Sequence, residues 1–259
     1  LMHREVIAAR VDDDQEEVAR KIQKYDLLAM PVVNEAGALV GIITHDDAID
    51  IITQEHTEDM EKFMAITGRH ETGAYLKTPS WEHFKNRAGW LVVLAALGMV
   101  SGYIVQSFEQ VLMQFALLAA FMPMLADTGG NTGSQSATLV VRALALKEVS
   151  PGDLARVLLK ELKVSVMLGL LLAALAFGRV MLFGGGRGAD VSAWALSLAI
   201  AVALGLQVIS ATLIGALLPM IAARLRLDPA VIASPALTTV VDITGLLIYF
   251  TTARLLLGV

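Results

Sequence analysis

Residues 111–146 read VLMQFALLAAFMPMLADTGGNTGSQSATLVVRALAL. The ends of this run are apolar. Its middle, Asp127–Thr138, is a mixture of glycines, hydroxyls, amides and one carboxylate. A membrane-crossing helix needs roughly 20 mostly apolar residues. The run is too long for one straight span, and a break is expected at Thr128-Gly129-Gly130-Asn131-Thr132-Gly133. Asp127, Asn131 and Gln135 fall at i, i+4 and i+8, so they share one helical face, with Ser134 beside them. Polar side chains at membrane depth are expensive and are functional hypotheses by default.

Working outward, four further apolar stretches appear. They cover residues 89–105, 164–183, 191–223 and 232–257. The third span overall is preceded by a charged stretch, Asp153–Lys163, expected to extend the same helix into water, and it ends at the glycine-rich turn 184–188. Composition agrees: of 259 residues, 56% are hydrophobic and 17% charged, and the mean hydropathy is +0.64. A soluble domain averages about a quarter charged, so the composition argues against a soluble enzyme. The chain has no cysteine, which excludes disulfides, thiolate metal sites and cysteine nucleophiles. The net charge of −5 is uneven. Residues 1–87 hold 10 Lys and Arg against 17 Asp and Glu, whereas the remainder holds 10 against 8. A small acidic water-soluble piece therefore precedes a membrane piece. The first residues carry no apolar signal-peptide region and read like a fragment of a longer chain.

Basic residues set the orientation. Lys85, Arg87, Arg142, Lys147, Arg156, Lys160, Lys163, Arg224 and Arg226 lie on one side, and Arg179, Arg187 and Arg254 on the other. The basic side is expected to be cytoplasmic, which puts the N-terminal piece inside and, after five spans, the C-terminus outside. Trp90 and Trp194 lie near span ends, where interfacial aromatics are expected.

The last span repeats the polar spacing of the first-quoted run: Ser234, Thr238 and Asp242, with Thr239 flanking. Two faces thus carry oxygen ligands with one carboxylate each and neither histidine nor cysteine. Oxygen donors suit hard cations such as Mg²⁺, Ca²⁺ or Mn²⁺. Pro123 and Pro235 can free backbone carbonyls, which is tolerable at depth only beside a cavity. The plainer readings carry weight at single positions. A lone Ser or Thr often bonds back to its own helix, and Gly129, Gly130 and Gly133 suit close packing. Asn131 or a facing hydroxyl could satisfy Asp127 structurally. Asp242 resists such readings, because the last span has no Lys or Arg before Arg254. Asp228 before Pro229 reads as a helix cap with proline at the first turn, a role compatible with a place at a pore mouth.

Residues 5–66 alternate between strands and helices. A strand at Glu5–Ala9 is followed by a helix capped within Asp12–Asp14 and carrying Val18, Ile22 and Tyr25 at helical spacing. Strands at 29–33 and 38–44 flank the turn Asn34–Gly37. A helix begins at Asp46 or Asp47, and a further helix is expected over about 55–66. That last segment carries Glu55, Glu58, Asp59 and Glu61 against Lys62. Such a run is commonly a solvated face. Its carboxylates could also bind divalent cations and sense them. Trp81-Glu82-His83-Phe84-Lys85 resembles an interfacial entry into the first span.

Residues 12–52, with Met30-Pro31-Val32-Val33, Gly37, Leu39–Thr44 and Asp46-Asp47, resemble a CBS motif. Asp127–Thr138 is similar to the second-span signature of MgtE-type magnesium channels. So is Asp228-Pro229-Ala230 followed by Ser234-Pro235 and Thr238–Gly245. The resemblance covers essentially the whole chain. It implies a mainly α membrane protein: five transmembrane helices per protomer, preceded by a small α+β CBS unit and a connecting plug helix. The expected divisions are 1–54 for a single, second CBS unit, 55–87 for the acidic connecting segment, and 88–259 for the pore domain. It further implies a homodimer in the cytoplasmic (inner) membrane, with the ion path on the dimer axis. Asp242 and its symmetry mate would hold hydrated Mg²⁺, helped by Thr238 and Ser234, with Asp228 by the cytoplasmic mouth. Asp127 and Asn131 would line or support the path. In the family the plug helix is closed by Mg²⁺, which places Glu58 and Asp59 as regulatory ligands. Members carry a helical N-terminal domain and two CBS units before the plug; here one unit is visible. CBS pairs bind adenine nucleotides, and Thr44 and Asp47 stand at the ribose-contact positions, but half a pair argues against nucleotide here.

The leading reading is transport of Mg²⁺, both as cargo and as regulator, with Mn²⁺, Co²⁺ and Ca²⁺ as further candidates. A broader divalent-cation or proton-coupled exporter, with Asp127 and Asp242 as a proton relay, is the alternative. An intramembrane enzyme would need a motif such as H-E-x-x-H or G-x-S-x-G, and neither occurs; no enzymatic activity is expected. A CBS sensor on a passive anchor would not need the two intramembrane aspartates. Expected partners are a second copy, the lipid bilayer and hydrated cations, and no nucleic acid.

Overall fold

The computed structural model describes residues 6–67, 75–183, 192–229 and 235–258. They form two units, residues 1–62 with 67–83, and residues 63–66 with 84–259.

In the first unit, strand β1 (Ala9–Arg10), helix α1 (Gln15–Lys24) and strands β2 (Ala29–Val33) and β3 (Leu39–Thr44) build a three-stranded sheet in the order β1-β2-β3. Asp14 caps α1, accepting from the backbone N–H groups of Glu16 (2.9 Å) and Glu17 (3.2 Å). Glu16 and Glu17 in the first turn, and Lys21 and Lys24 in the last, complement the helix dipole. Val18, Ala19 and Ile22 then bury against Ala9, Met30 and Ala48. Strand β1 covers Ala9–Arg10 against the expected Glu5–Ala9: β2 pairs with Ala9 and Arg10 alone, and the strand ends where Arg10 N–H turns to the Asp13 carboxylate (3.1 Å); Glu5 lies outside the described residues. Pro31 sits in the central strand, where a missing N–H is normally excluded. It is tolerated because β1 pairs only with Val32 and Val33. The β2–β3 turn closes on Asn34, whose Oδ1 accepts from Ala36 N (3.1 Å) and Ala38 N (2.9 Å), with Gly37 at φ 75°.

The helices expected before and after residue 54 are one continuous helix, α2 (His45–Phe63). No breaker lies between Ile52 and Glu55. The Thr53 and Thr57 hydroxyls fold back onto the carbonyls of Ile49 (2.9 Å) and Thr53 (2.8 Å) instead of interrupting the ladder. Gln15 of α1 donates to Glu55 at 2.7 Å.

The second unit is helical. It comprises most of α3 (Ser80–Ser107), short α4 (Glu109–Gln114), α5 (Ala116–Ala145), a 3₁₀ turn at Pro151–Asp153, α6 (Leu154–Phe183), α7 (Ala193–Arg224) and α8 (Pro235–Leu257). Helix α6 starts in the charged stretch and runs on into the apolar one, as expected. Helix α7 is central and packs against α5, α6 and α8. Phe115, at the junction before α5, and Leu118, Phe121 and Leu125 of α5 meet Ile200 and Leu204 of α7 and Tyr249 and Phe250 of α8 in the main core. The buried Tyr249 hydroxyl donates to the Leu118 carbonyl at 3.0 Å.

The break expected at 128–133 does not occur. Helix α5 runs unbroken through those glycines, and the chain breaks earlier, at Phe115 between α4 and α5. Packing overrides the low helix propensity of glycine. A Cβ on Gly215 of α7 would stand 2.2 Å from the Gly133 carbonyl oxygen, and one on Gly169 of α6 would stand 3.0 Å from that of Gly205. These glycines let backbones touch, the small-residue packing of helices in lipid.

Four helices among the described residues are long and apolar enough to cross a membrane: Ser80–Ser107, Pro151–Phe183, Ala193–Arg224 and Ala236–Leu257. At 30 residues α5 is about 45 Å long at ~1.5 Å per residue, enough to cross. Its polar middle is what distinguishes it from the other four.

Candidate cation site

Helices α5 and α8 pack face to face, and the contact fixes their levels. A Cβ on Gly130 would lie 3.7 Å from the Thr238 methyl, and ones on Gly129 and Gly133 would lie 3.0 and 3.4 Å from the two Val241 methyls. The turn of α5 that carries Asn131 therefore stands level with the turn of α8 that carries Thr238 and Asp242. Asp242 is half-buried in mid-helix, next to fully buried Val241. Thr238, one turn earlier, is also half-buried.

Helix α5 has two faces. Leu125, Gly129, Thr132, Gly133, Ser136 and Ala137 are buried in the bundle. Asp127, Asn131 and Gln135 are exposed, in one stripe along the helix. Elsewhere the exposed helix surface is mainly apolar, as with Met167, Leu170 and Leu171 on α6, with single hydroxyls such as Thr138 and Thr251. The structure thus joins Asp127 and Asn131 to Thr238 and Asp242 through one helix pair. Asp228 is exposed beyond the end of α7, and Ser234 lies outside the described residues. Glu58 and Asp59 are exposed on α2 in the first unit, Glu58 paired with Lys62 at 2.7 Å. Among the described residues no group of three or more His, Cys, Asp or Glu side chains is placed to hold a metal ion within one chain.

Two polar features escape the reading of spans one by one. Ser136, on the buried face of α5, donates to Glu161 of α6 at 2.8 Å. The pair lines a pocket of about 330 Å³ with Thr132, Gln135, Arg142 and Lys160. Gln207 is fully buried in α7, and its Nε2 donates to the Val241 carbonyl at 3.2 Å. It is the one amide in a 32-residue helix whose other polar side chains are Ser197, Ser210, Thr212 and the terminal Arg224. The cost of polar groups at membrane depth was the signal that could have marked it.

Comparison with known proteins bears on these features. The family model described as "MgtE: Divalent cation transporter" matches residues 122–252, and the CBS domain model matches residues 1–54. The chain is similar to proteins named "Magnesium transporter MgtE". The one from Thermus thermophilus is 43% identical over 257 residues, covering 99% of this chain and 55% of the relative. That from Bacillus subtilis is 39% identical over 250 residues, covering 96% and 53%, and that from Enterococcus faecalis 33% over 259, covering 98% and 54%. The chain spans about half the length of these curated relatives.

Proposed function

The chain belongs to the MgtE family of divalent cation transporters, and from that premise we propose that it forms a homodimeric channel carrying hydrated Mg²⁺ across the cytoplasmic membrane. Helix α5 is the second of five spans, and the Asp242 pair on the two-fold axis is the ion site. Residues 1–54 serve as a CBS unit, 55–87 as the connecting segment and 88–259 as the pore.

The observation that carries this reading is the exposed stripe Asp127–Asn131–Gln135, whose Asn131 turn is level with half-buried Asp242, in a bundle whose other exposed helix surface is mainly apolar. Facing lipid, such a stripe would be costly. Facing a second copy across a water-filled path, it is solvated and aimed at the ion. Isologous dimers are the commonest assembly, and a two-fold axis turns one carboxylate per chain into two. Mg²⁺ gives up its water shell reluctantly and is held by one or two carboxylates through the waters that remain. Thr238, Ser234 and Asn131 supply neutral oxygens along the path, and Asp228 raises the local cation concentration at its mouth. Basic residues at the α5–α6 connection and the end of α7 support a cytoplasmic side for those ends and for the CBS unit. Glu58 and Asp59 supply carboxylates for cytosolic Mg²⁺, which competes with Lys62 for Glu58 and so regulates the path.

The test is Mg²⁺ uptake into liposomes, with Asp242→Ala in parallel. Uptake driven by the Mg²⁺ gradient and membrane potential alone, and abolished by Asp242→Ala, is expected. Equal uptake by both proteins contradicts the site. Uptake that requires a pH gradient points to a proton-coupled carrier instead.

A further inference from the structure

We propose that Gln207 is a positioning residue for the cation path. Its amide, wedged between Gly129 of α5 and Gly245 of α8 and tied to the Val241 carbonyl, sets the spacing of the two helices that carry Asn131 and Asp242. This rests on the reading of Asp242 as an ion site.

Three observations meet at this side chain. First, a Cβ on Gly129 would stand 2.2 Å from Gln207 Nε2, and one on Gly245 would stand 2.3 Å from the same atom and 2.6 Å from Oε1. The amide therefore fills a slot that exists only because both flanking helices lack a side chain there. Second, the amide is bound to the residue before the aspartate. The Val241 carbonyl receives Gln207 Nε2 at 3.2 Å and also the Thr244 hydroxyl at 3.2 Å. The shorter bond of that hydroxyl, 2.8 Å, goes to the Val240 carbonyl, so the Gln207 amide is the tie from another helix to the peptide leading into Asp242. Third, the arrangement is a poor choice for packing alone. A buried amide is costly unless its hydrogen bonds are made, and Oε1 makes none among the described residues. Leu or Met would fill similar volume without that penalty. Geometry that packing does not explain, one residue from the proposed ligand, is the mark of a group that orients the ligand.

The consequence is specificity. Mg²⁺ demands near-ideal octahedral geometry, whereas Ca²⁺ accepts six to eight ligands in flexible arrangements. A slot of fixed width holds Asp242 at one position against α5 in each protomer. Loosening it penalises Mg²⁺ more than Ca²⁺.

The test uses the whole chain in liposomes and follows Mg²⁺ and Ca²⁺ uptake against concentration. For Gln207→Leu we expect the Mg²⁺ concentration giving half-maximal uptake to rise about tenfold, and the preference for Mg²⁺ over Ca²⁺ to fall. The thermal midpoint in detergent should hold. A lower maximal rate with unchanged half-saturation and ion preference is what a merely structural role would give, and it would overturn the proposal. A second arm does not depend on that variant folding. Gly245→Ala alone should impair uptake by colliding with the amide, and Gln207→Ala with Gly245→Ala should recover it. A double variant no better than the single one overturns the proposal. Asp242→Ala in parallel separates the failures. If it transports normally, the ion site itself is wrong and the proposal falls with it. If it is inactive while Gln207→Leu matches wild type in both measures, only the positioning role is wrong.

Discussion

Helices α5 and α7 carry polar groups at membrane depth in opposite ways. In α7 the amide of Gln207 points into the bundle and is used by a neighbouring helix of the same chain. In α5 the buried face between Gly129 and Ala137 is glycine, hydroxyl and alanine, while Asp127, Asn131 and Gln135 are exposed. One helix turns its amide onto its own fold, and the other leaves a polar stripe exposed, which the proposed path would use. In the acidic first unit Asp47 is turned back on Thr44, accepting from its backbone N–H (2.9 Å) and hydroxyl (2.5 Å), and Glu58 on α2 pairs with Lys62 at 2.7 Å.

The sharpest way to break this comparison is to probe each face of α5 in turn. Asn131→Leu, on the exposed face, is expected to cut Mg²⁺ uptake at least tenfold, roughly the loss seen when groups around a metal are removed, while leaving the thermal midpoint of the protomer nearly unchanged. Gly215→Ala, opposite the buried face, is expected to destabilise the bundle by about 1–3 kcal/mol through overpacking against the Gly133 carbonyl. Uptake and thermal unfolding of both variants check this. An Asn131→Leu protein that unfolds early but transports normally would reverse the assignment of the two faces.

A smaller effect concerns the first unit. The Thr44 hydroxyl and N–H hold the Asp47 carboxyl below the usual carboxylate range. A depressed pKa adds stability that is fully present above the unfolded value of 3.8 and is lost as pH falls through the lower folded value. Hydrogen-exchange protection at the start of α2 is therefore expected to fall off below about pH 4, and Asp47→Asn should flatten that dependence. An unchanged profile in the variant would show that the carboxylate is not used locally.

Much of this architecture was legible in the chain because its causes are local. The N-cap within Asp12–Asp14, the turn at Asn34–Gly37 and the charged extension into α6 each depend on residues a few positions apart, and the structure has them. The stripe Asp127–Asn131–Gln135 was legible as one face from its spacing alone. What was hidden depends on distant partners. Gly129, Gly130 and Gly133 read as a break because glycine disfavours helix, and only their contacts with Ala211, Gly215, Thr238 and Val241 reveal close packing. Gln207 read as part of an apolar span, since its partners Gly129 and Val241 lie far along the chain. The single helix α2 was divided at a boundary where the sequence holds no breaker. Which face of α5 is buried follows from α7 and α8, not from α5 itself.

The central claim is that the exposed face of α5, beside Asp242, lines a water-filled path. The absence of cysteine in the chain makes one measurement direct. Asn131→Cys and, for comparison, Leu171→Cys on the apolar exposed surface of α6 are reconstituted and treated with a water-soluble, membrane-impermeant thiol reagent while Mg²⁺ uptake is followed. The account predicts that the cysteine at 131 reacts, that its reaction blocks uptake, and that Mg²⁺ slows it, while the one at 171 stays inert. Equal inertness at both positions, or reaction at 131 with uptake untouched, would contradict it.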